Sequence, residues 1–171
     1  MSQARLHPLR VQGRVATPLG PLTAARSAEG LAGLWFDGQR HAPGPLALPR
    51  DDDDPLFVQV RELLDGYFRG QGLPQDLTRA LPLDLAGTPF QRRVWAQLLR
   101  IPQGQHRSYS QLAEALDAPS AARPVGAAVG RNPVSILVPC HRVLGTDGSL
   151  TGYAGGLDRK KALLTLEGVL P

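Results

Sequence analysis

The chain has a single cysteine, Cys140, among its 171 residues. A lone cysteine cannot form a disulfide within the chain, and one thiolate cannot build a structural zinc site. Lysine is also scarce, because Lys160 and Lys161 are the only two. No apolar run reaches the about 20 residues that span a membrane, and residues 1–14 lack the apolar core of a secretion signal. A free thiol without an export signal predicts a cytoplasmic protein.

Positive charge is concentrated in the second half of the chain. Residues 1–85 have nine Arg and ten acidic residues, for a net charge of −1. Residues 86–171 have ten Lys or Arg and five acidic residues, for a net charge of +5. A basic half favours an anionic partner, with nucleic acid first, although a well-solvated surface is the alternative. Helix signals also increase here, so we predict a domain boundary near residue 86.

The first half has the pattern of a small domain of strands and one helix. Alternating short runs between residues 9 and 36 predict a β-meander. Asp54 is expected to cap a helix that has Pro55 at its first position. Metal binding by residues 51–54 is the alternative, and it is disfavoured because consecutive carboxylates diverge and repel. Residues 81–85 are expected to form a last strand, at a sheet edge because they include a proline.

The second half begins with a strong helix start. Thr88 is expected to cap a helix, with Gln91 completing a capping box. A short helix follows, capped by Ser108 or Ser110. Ser120 is then expected to cap a further helix over residues 121–130, whose alanines and glycines leave one face nearly bare. A helix, a tight turn and a small-faced helix are typical of a helix-turn-helix motif.

Two further elements are predicted after the cysteine. An Asp-Gly turn within residues 145–148 is flanked by apolar residues, which indicates a β-hairpin. A hairpin placed after a helix-turn-helix would form a wing. Residues 158–168 are expected to form the final helix.

Cys140 follows a run of apolar residues, 136–139, and is followed directly by His141 and Arg142. Thiolate is the reactive form of cysteine, and neighbouring cations lower the pKa of a thiol. The alternative is a small buried hydrophobic residue, the commoner situation of a free cysteine. The two adjoining basic residues favour the nucleophile.

The second half resembles the O6-alkylguanine-DNA alkyltransferases, also called methylated-DNA–protein-cysteine methyltransferases. Residues 1–85 match the family's ribonuclease-H-like N-terminal domain more loosely. The resemblance implies an α+β fold, with a ribonuclease-H-like α/β domain over residues 1–85 and a winged helix-turn-helix domain over residues 86–171. Its motifs are residues 139–143 (Pro-Cys-His-Arg-Val), 132–133 (Asn-Pro), 151–156 (Thr-Gly-Tyr-Ala-Gly-Gly), 166–168 (Leu-Glu-Gly), 88–91 (Thr-Pro-Phe-Gln) and 108–112 (Ser-Tyr-Ser-Gln-Leu).

The resemblance implies DNA repair by direct, irreversible, single-turnover transfer of an alkyl group from O6 of guanine to Cys140. O4 of thymine is left open as a second substrate position. Members of the family dock a helix-turn-helix in the minor groove of double-stranded DNA, act as monomers and use no cofactor. The damaged base must be flipped out, because a side chain cannot reach the O6 carbon in line within a duplex.

The resemblance also assigns catalytic roles. Cys140 is the alkyl acceptor, His141 takes its proton through a water, and Glu167 orients the histidine. Tyr109 assists rotation of the nucleotide and donates a proton to the leaving guanine. Asn132 holds the active-site turn and the recognition helix together.

Contacts with DNA and with the flipped base are implied as well. Arg123 aligns with the family's arginine finger, which fills the space left by the flipped base, and Pro124 follows it where many relatives have a small non-proline residue. Some members bind zinc in the N-terminal domain, but His7 and His41 are too few ligands, so we expect no metal. Further DNA contacts are expected from Ala122, Ala127 and Arg131, and a guanine pocket from Val143, Ser135, Tyr153 and Ala154.

Two other functions remain open at this point. A non-catalytic lesion binder could use the same fold, since relatives with tryptophan at the acceptor position bind lesions without repair. The thiol at position 140 disfavours that interpretation. A Cys-His hydrolase would need a separate oxyanion hole, for which the sequence has no signature.

Overall fold

The computed structural model describes residues 7–171. Its N-terminal part is a three-stranded antiparallel sheet with one long helix. Residues 1–6 of the predicted first domain lie outside the described residues. Strands β1 (Val11–Val15), β2 (Leu22–Arg26) and β3 (Leu31–Phe36) follow one another in spatial order. This confirms the predicted meander.

Helix α1 (Pro55–Phe68) covers this sheet. Asp54 caps it, because its side chain accepts a hydrogen bond from the Leu56 N–H, as predicted. The Phe57 ring lies against β1 at Gly13, where an added Cβ would come within 2.6 Å of it. The apolar face of the helix is therefore buried against the strands.

Two expectations for the first half can be judged directly. Residues 81–85 do not form a strand, because Leu83 makes only a single bridge to Leu31. Proline has no N–H with which to extend a ladder, which accounts for the short pairing. Of the four aspartates before α1, Asp52 pairs with Arg50 and Asp54 pairs with Arg26, so two of these carboxylates are already bound to arginines.

The second half is mostly helical, and its predicted capping boxes at Thr88 and Ser108 are both present. Ser120 does not cap the helix that follows it. The N-cap of that helix is Ala121, and no side chain makes a capping hydrogen bond there. None of the helices within residues 7–171 is long and apolar enough to cross a membrane. The elements are α2 (Leu77–Ala80), α3 (Pro89–Leu98), β4 (Arg107–Ser108), α4 (Tyr109–Ala115), α5 (Ala122–Gly130), a 3₁₀ turn (Cys140–Arg142), β5 (Val143–Leu144) and α6 (Leu157–Leu166).

The predicted wing differs from the structure. β5 pairs in parallel with β4, with Arg107 opposite Val143, rather than with the residues after the Asp-Gly turn. The turn itself closes, since the Gly145 N–H donates to Ser149 O at 2.9 Å. Both residues of β5 are buried where the strand pairs with β4. The predicted hairpin is therefore a turn without a paired second strand.

The two halves share one apolar core, and a stretch of backbone joins them. The segment before the cysteine runs beside β3, where the Leu34 N–H donates to Pro133 O at 2.8 Å. The Ser135 N–H in turn donates to Leu34 O at 2.9 Å. One continuous cluster of buried side chains extends from Val15 in β1 to Leu163 in α6. The N-terminal sheet thus fixes the backbone that leads to Cys140.

Loss of the Thr88 cap should weaken the second half. In Thr88→Ala the Gln91 N–H loses its side-chain acceptor, and we expect the free energy of unfolding to fall by about 1 kcal/mol. Arg92→Ala, an exposed change on the same helix, should alter it by less than about 0.5 kcal/mol. Urea unfolding at neutral pH measures both, and equal values for the two variants would contradict the role of the cap.

Candidate active site

An unusual stretch of backbone presents Cys140. Ile136 is fully buried and has a φ of 68°, a conformation that a β-branched side chain rarely adopts. The buried side chain of Asn132 supports the loop: its Nδ2 donates to Val138 O at 2.8 Å and to Val134 O at 3.2 Å. Its Oδ1 accepts from the Val134 N–H at 3.0 Å. Asn132 follows the C-cap of α5, Arg131, so one amide joins the end of that helix to the cysteine loop.

The cysteine lies at the wall of a cavity. Cys140 begins the 3₁₀ turn and is 5% exposed, and it lines a cavity of about 370 Å³. Cys140 and His141 thus lie in a turn and not on a strand. Helices α4 and α5, a loop at residues 152–154 and a loop of the N-terminal half form the other walls. The cavity has the size of a small-molecule site and an aromatic lining.

The charge around the thiol differs from the expectation. Burial raises the pKa of the Cys140 thiol, while the nearby Asn132 amide and the positive charge of Lys160 act to lower it. Arg142 does not supply the neighbouring cation, because its guanidinium is turned to Glu167. The prediction that the adjoining basic residues lower the thiol pKa is therefore wrong, and the thiol needs a base to ionise it.

Lys160 is a site residue that the sequence did not reveal. Its side chain is fully buried, and burial lowers its pKa to about 8. The Nζ donates to Val143 O, to Thr151 O at 3.1 Å and to Gly152 O at 3.2 Å. It therefore holds the cavity loop against the strand that follows the cysteine. The scarcity of lysine drew attention to this position but did not indicate burial.

A buried carboxylate lies behind the cysteine. Glu167 Oε1 lies 2.8 Å from His141 Nε2, and both side chains are completely buried. Arg142 binds the same carboxylate with two hydrogen bonds, from Nε to Oε2 at 2.9 Å and from Nη2 to Oε1 at 2.8 Å. Burial tends to raise the pKa of Glu167, but the hydrogen bonds from His141 and Arg142 bring it down to about 2. The group is a fixed anion.

The fixed anion decides the tautomer of His141. An ionised carboxylate only accepts hydrogen bonds, so Nε2 of His141 must carry the proton. Burial lowers the pKa of His141, although Glu167 opposes that effect, and the ring is neutral at pH 7. Its Nδ1 is then a lone pair, and it has no hydrogen-bond partner among the described residues. The arrangement provides a base that can accept one proton.

The sequence-predicted pocket residues fall into two groups. Of the predicted pocket residues, Tyr153 and Ala154 line the cavity, and Tyr109, which was predicted to assist rotation of the nucleotide, lines it as well. The Tyr109 hydroxyl donates to Thr151 O at 3.0 Å, the same carbonyl that Lys160 holds. The Tyr153 hydroxyl is buried and, within residues 7–171, has no hydrogen-bond partner.

Two predicted pocket residues do not line the cavity. Ser135 is buried, and its hydroxyl donates to Gln39 Oε1 at 2.8 Å. Val143 is also buried, with its carbonyl bound to Lys160. Neither lines the cavity, because the Ser135 hydroxyl is directed to Gln39 and Val143 is buried in β5, where it pairs with β4.

The predicted DNA-contact residues are distributed along α5. Arg123 is exposed in the first turn, and Ala122 beside it is half-buried. Ala127 and Arg131, further along, are exposed and line the cavity mouth. The structure thus brings a small-faced helix to the rim of the cavity.

Arg40 and His41 of the N-terminal half also line the cavity, which the sequence did not reveal. His41 has a φ of 62°, and burial followed by the charges of Arg131 and Arg40 lowers its pKa. Loop residues such as these carry no periodic signal. Among residues 7–171, no group of three or more His, Cys, Asp or Glu side chains could hold a metal ion.

Two family models match the chain. One, described as the DNA binding domain of 6-O-methylguanine DNA methyltransferase, matches residues 89–169. The other, described as the ribonuclease-like domain of the same protein, matches residues 11–85. The predicted combination of a ribonuclease-like first part and a DNA-binding second part is confirmed.

Individual proteins and solved structures that are similar to this chain indicate the same family as the two family models. A methylated-DNA–protein-cysteine methyltransferase of Mycobacterium leprae is 47% identical over 153 residues, 88% of this chain and 88% of the relative. The crystal structure of Mycobacterium tuberculosis OGT in complex with DNA is 42% identical, with a TM-score of 0.82, covering 94% of this chain and 95% of that chain. The O6-methylguanine-DNA methyltransferase of Pyrococcus kodakaraensis is 25% identical, with a TM-score of 0.64, covering 93% and 99%.

Replacing Glu167 should expose the energetic role of the buried carboxylate. In Glu167→Gln the Arg142 guanidinium loses its buried counter-charge, and we expect the free energy of unfolding at pH 7 to fall by about 3 kcal/mol. Glu114→Gln, an exposed change of the same kind, should alter it by less than about 0.5 kcal/mol.

The destabilisation caused by Glu167→Gln should depend on pH, and the pKa of Glu167 determines the direction of that dependence. The pKa of Glu167 is lowered from 4.5 to about 2 in the folded protein, so its contribution is complete above pH 4.5 and is lost as the pH falls towards 2. The difference in the free energy of unfolding between wild type and Glu167→Gln should therefore become smaller as the pH falls from 4.5 towards 2. Urea unfolding at a series of pH values measures it, and a difference independent of pH would contradict the assignment.

Proposed function

The chain belongs to the 6-O-methylguanine DNA methyltransferase family and repairs alkylated DNA by direct transfer to a cysteine, and on that premise we propose that Cys140 is the acceptor. It is the only cysteine that the sequence offers. The observation that carries the assignment is a thiol on the wall of a cavity, followed in the chain by a neutral histidine whose Nδ1 has no hydrogen-bond partner among residues 7–171 and can take a proton.

The proposed reaction begins with the loss of the thiol proton. Because burial raises the pKa of Cys140, the thiol is protonated at neutral pH until a base removes its proton. The proton passes through a bridging water to Nδ1 of His141, which becomes an imidazolium. Glu167 stabilises that cation through the hydrogen bond to Nε2.

The thiolate then attacks the alkyl carbon on O6 of the flipped guanine. A carbon–sulfur bond forms, the carbon–oxygen bond breaks, and its electron pair goes to the purine. The purine takes up one proton, donated by the Tyr109 hydroxyl, and becomes guanine. The proton on His141 balances the one supplied by Tyr109, so the net products are an S-alkylcysteine and guanine. Since a thioether cannot be hydrolysed in the site, each molecule acts once.

DNA is the partner of this family's members, and we propose that α5 docks in the minor groove of double-stranded DNA. The support is the small-residue surface of α5 at the cavity rim, with Arg123 exposed at its start and Arg131 at its end. A helix with a nearly bare face can approach the groove closely. Arg123 then occupies the space that the flipped base leaves.

The remaining roles are proposals of the same kind. Ala122 and Ala127 contact the groove through the bare face of α5, and Tyr153 and Ala154 bind the flipped base. Asn132 keeps the cysteine loop joined to α5, supported by its two hydrogen bonds to loop carbonyls. We propose that the protein acts as a cytoplasmic monomer, with the domain boundary near residue 86. The single free thiol supports the location.

Intact-mass measurement tests the proposed acceptor. After incubation with a duplex that contains one O6-methylguanine, the wild-type protein should gain the mass of one methyl group, located on Cys140. Cys140→Ala should gain none and still bind the duplex, because the thiol is not placed on the docking surface. An unmodified wild-type protein would favour a lesion binder, and turnover beyond one equivalent would favour a hydrolase.

Arg123→Ala tests base extrusion. We expect transfer from duplex DNA to slow by roughly tenfold to a hundredfold, because unstacking a base costs a few kcal/mol and the arginine no longer offsets it. Transfer from the free O6-methylguanine base should keep its rate. Arg69→Ala, which removes an exposed arginine at the end of α1, serves as the control and should change neither rate. Equal slowing on both substrates would remove the finger role.

A further inference from the structure

We propose that Tyr67 of helix α1 is a positioning residue for alkyl transfer, because its hydroxyl holds the Glu167 carboxylate in place for His141. The inference rests on the proposed function and deepens it: the proton relay of the C-terminal half is completed by a group from the N-terminal half. Nothing in the sequence pattern separates Tyr67 from the apolar residues of α1.

The geometry is direct. Tyr67 is fully buried, and its hydroxyl donates to Glu167 Oε1 at 2.8 Å across 100 residues of sequence. The same oxygen accepts from His141 Nε2 and from Arg142 Nη2, each at 2.8 Å. Glu167 sits at the end of α6, as its C-cap residue. Oε1 is therefore fixed by three donors from two segments, helix α1 and the 3₁₀ turn that begins at Cys140.

The hydroxyl is a permanent donor. Burial, followed by the charge of Glu167, raises the pKa of Tyr67 well above its ordinary value. The phenol therefore stays protonated at neutral pH. The carboxylate can only accept, so the direction of this hydrogen bond is unambiguous.

Packing alone does not call for a tyrosine at this position. The ring packs edge-on against Phe68, with ring centroids 5.2 Å apart, and a phenylalanine would fill the same space. A buried hydroxyl carries a desolvation cost unless it finds a partner. Among residues 7–171, its partner is the carboxylate that orients the proposed base.

The hydroxyl also tunes the base. The negative charge on Oε1 interacts with three donors. Without the Tyr67 hydroxyl, its interaction with His141 becomes stronger. The imidazolium is then stabilised, so the pKa of His141 should rise. The charged groups facing His141 are Glu167, Arg142 and Lys160. None of these three is changed by a substitution at position 67.

The experiment uses the full chain with the substitution Tyr67→Phe. Single-turnover transfer from an O6-methylguanine duplex is followed as a function of pH. We expect the acid limb of the rate profile, where His141 must lose its proton, to move to higher pH by about half a unit. The plateau rate should fall by roughly threefold to tenfold, because the carboxylate is held by one donor fewer. Affinity for the duplex should be unchanged.

Phe57→Leu is the matched control, a buried change on the same helix, ten residues before Tyr67. It should lower the melting temperature and leave the acid limb in place. If Tyr67→Phe has the wild-type pH profile, or if Phe57→Leu shifts the limb equally, the positioning role is overturned. Failure of the wild-type protein to transfer a methyl group would instead overturn the proposed function. The two failures are thus distinguishable.

Discussion

The buried carboxylate of Glu167 is the constraint on which the site depends. It is an anion inside the protein, and it persists because its two oxygens accept four hydrogen bonds from His141, Arg142 and Tyr67. Such an ion is stable only when fully paired. Its presence fixes the proton of His141 on Nε2, which leaves Nδ1 as the basic atom. It also turns the Arg142 guanidinium away from the thiol, so a network that stabilises the fold prepares a base.

In contrast to the Glu167 carboxylate, which is held as an anion, the Cys140 thiol is held in its neutral form. A reactive cysteine is often kept ionised by neighbouring cations, but burial raises the pKa of Cys140 and only Lys160 among the cations opposes that effect. A protonated thiol at rest is protected from unwanted reaction. In the proposed reaction, ionisation then depends on the neighbouring histidine, which is neutral because burial lowers its pKa. If Cys140 is the acceptor, as proposed, this arrangement reserves a thiol that is used once for a substrate that fills the cavity.

Position is secured by both halves of the chain. Asn132 ties the cysteine loop to α5, and Leu34 of β3 pairs with the same loop from the other side. The strained backbone at Ile136 persists because these contacts determine the loop more fully than local preference does. The N-terminal half is thus part of the active site in three ways: it pairs with the loop, lines the cavity at Arg40, and reaches Glu167 through Tyr67.

The sequence by itself determined what is local. The meander, the Asp54 cap, the capping boxes at Thr88 and Ser108, and the motif around Cys140 all depend on neighbouring residues, and their signals are readable in the chain. Tertiary structure alone decided the partners across long separations: Tyr67 with Glu167, Lys160 with the cavity loop, and β5 with β4 in place of a wing. Periodicity shows which face of an element is buried, but not which buried polar atom that face meets. The charge state of the thiol belongs to the second group, because burial and the direction of each buried cation are set only when the whole chain has folded.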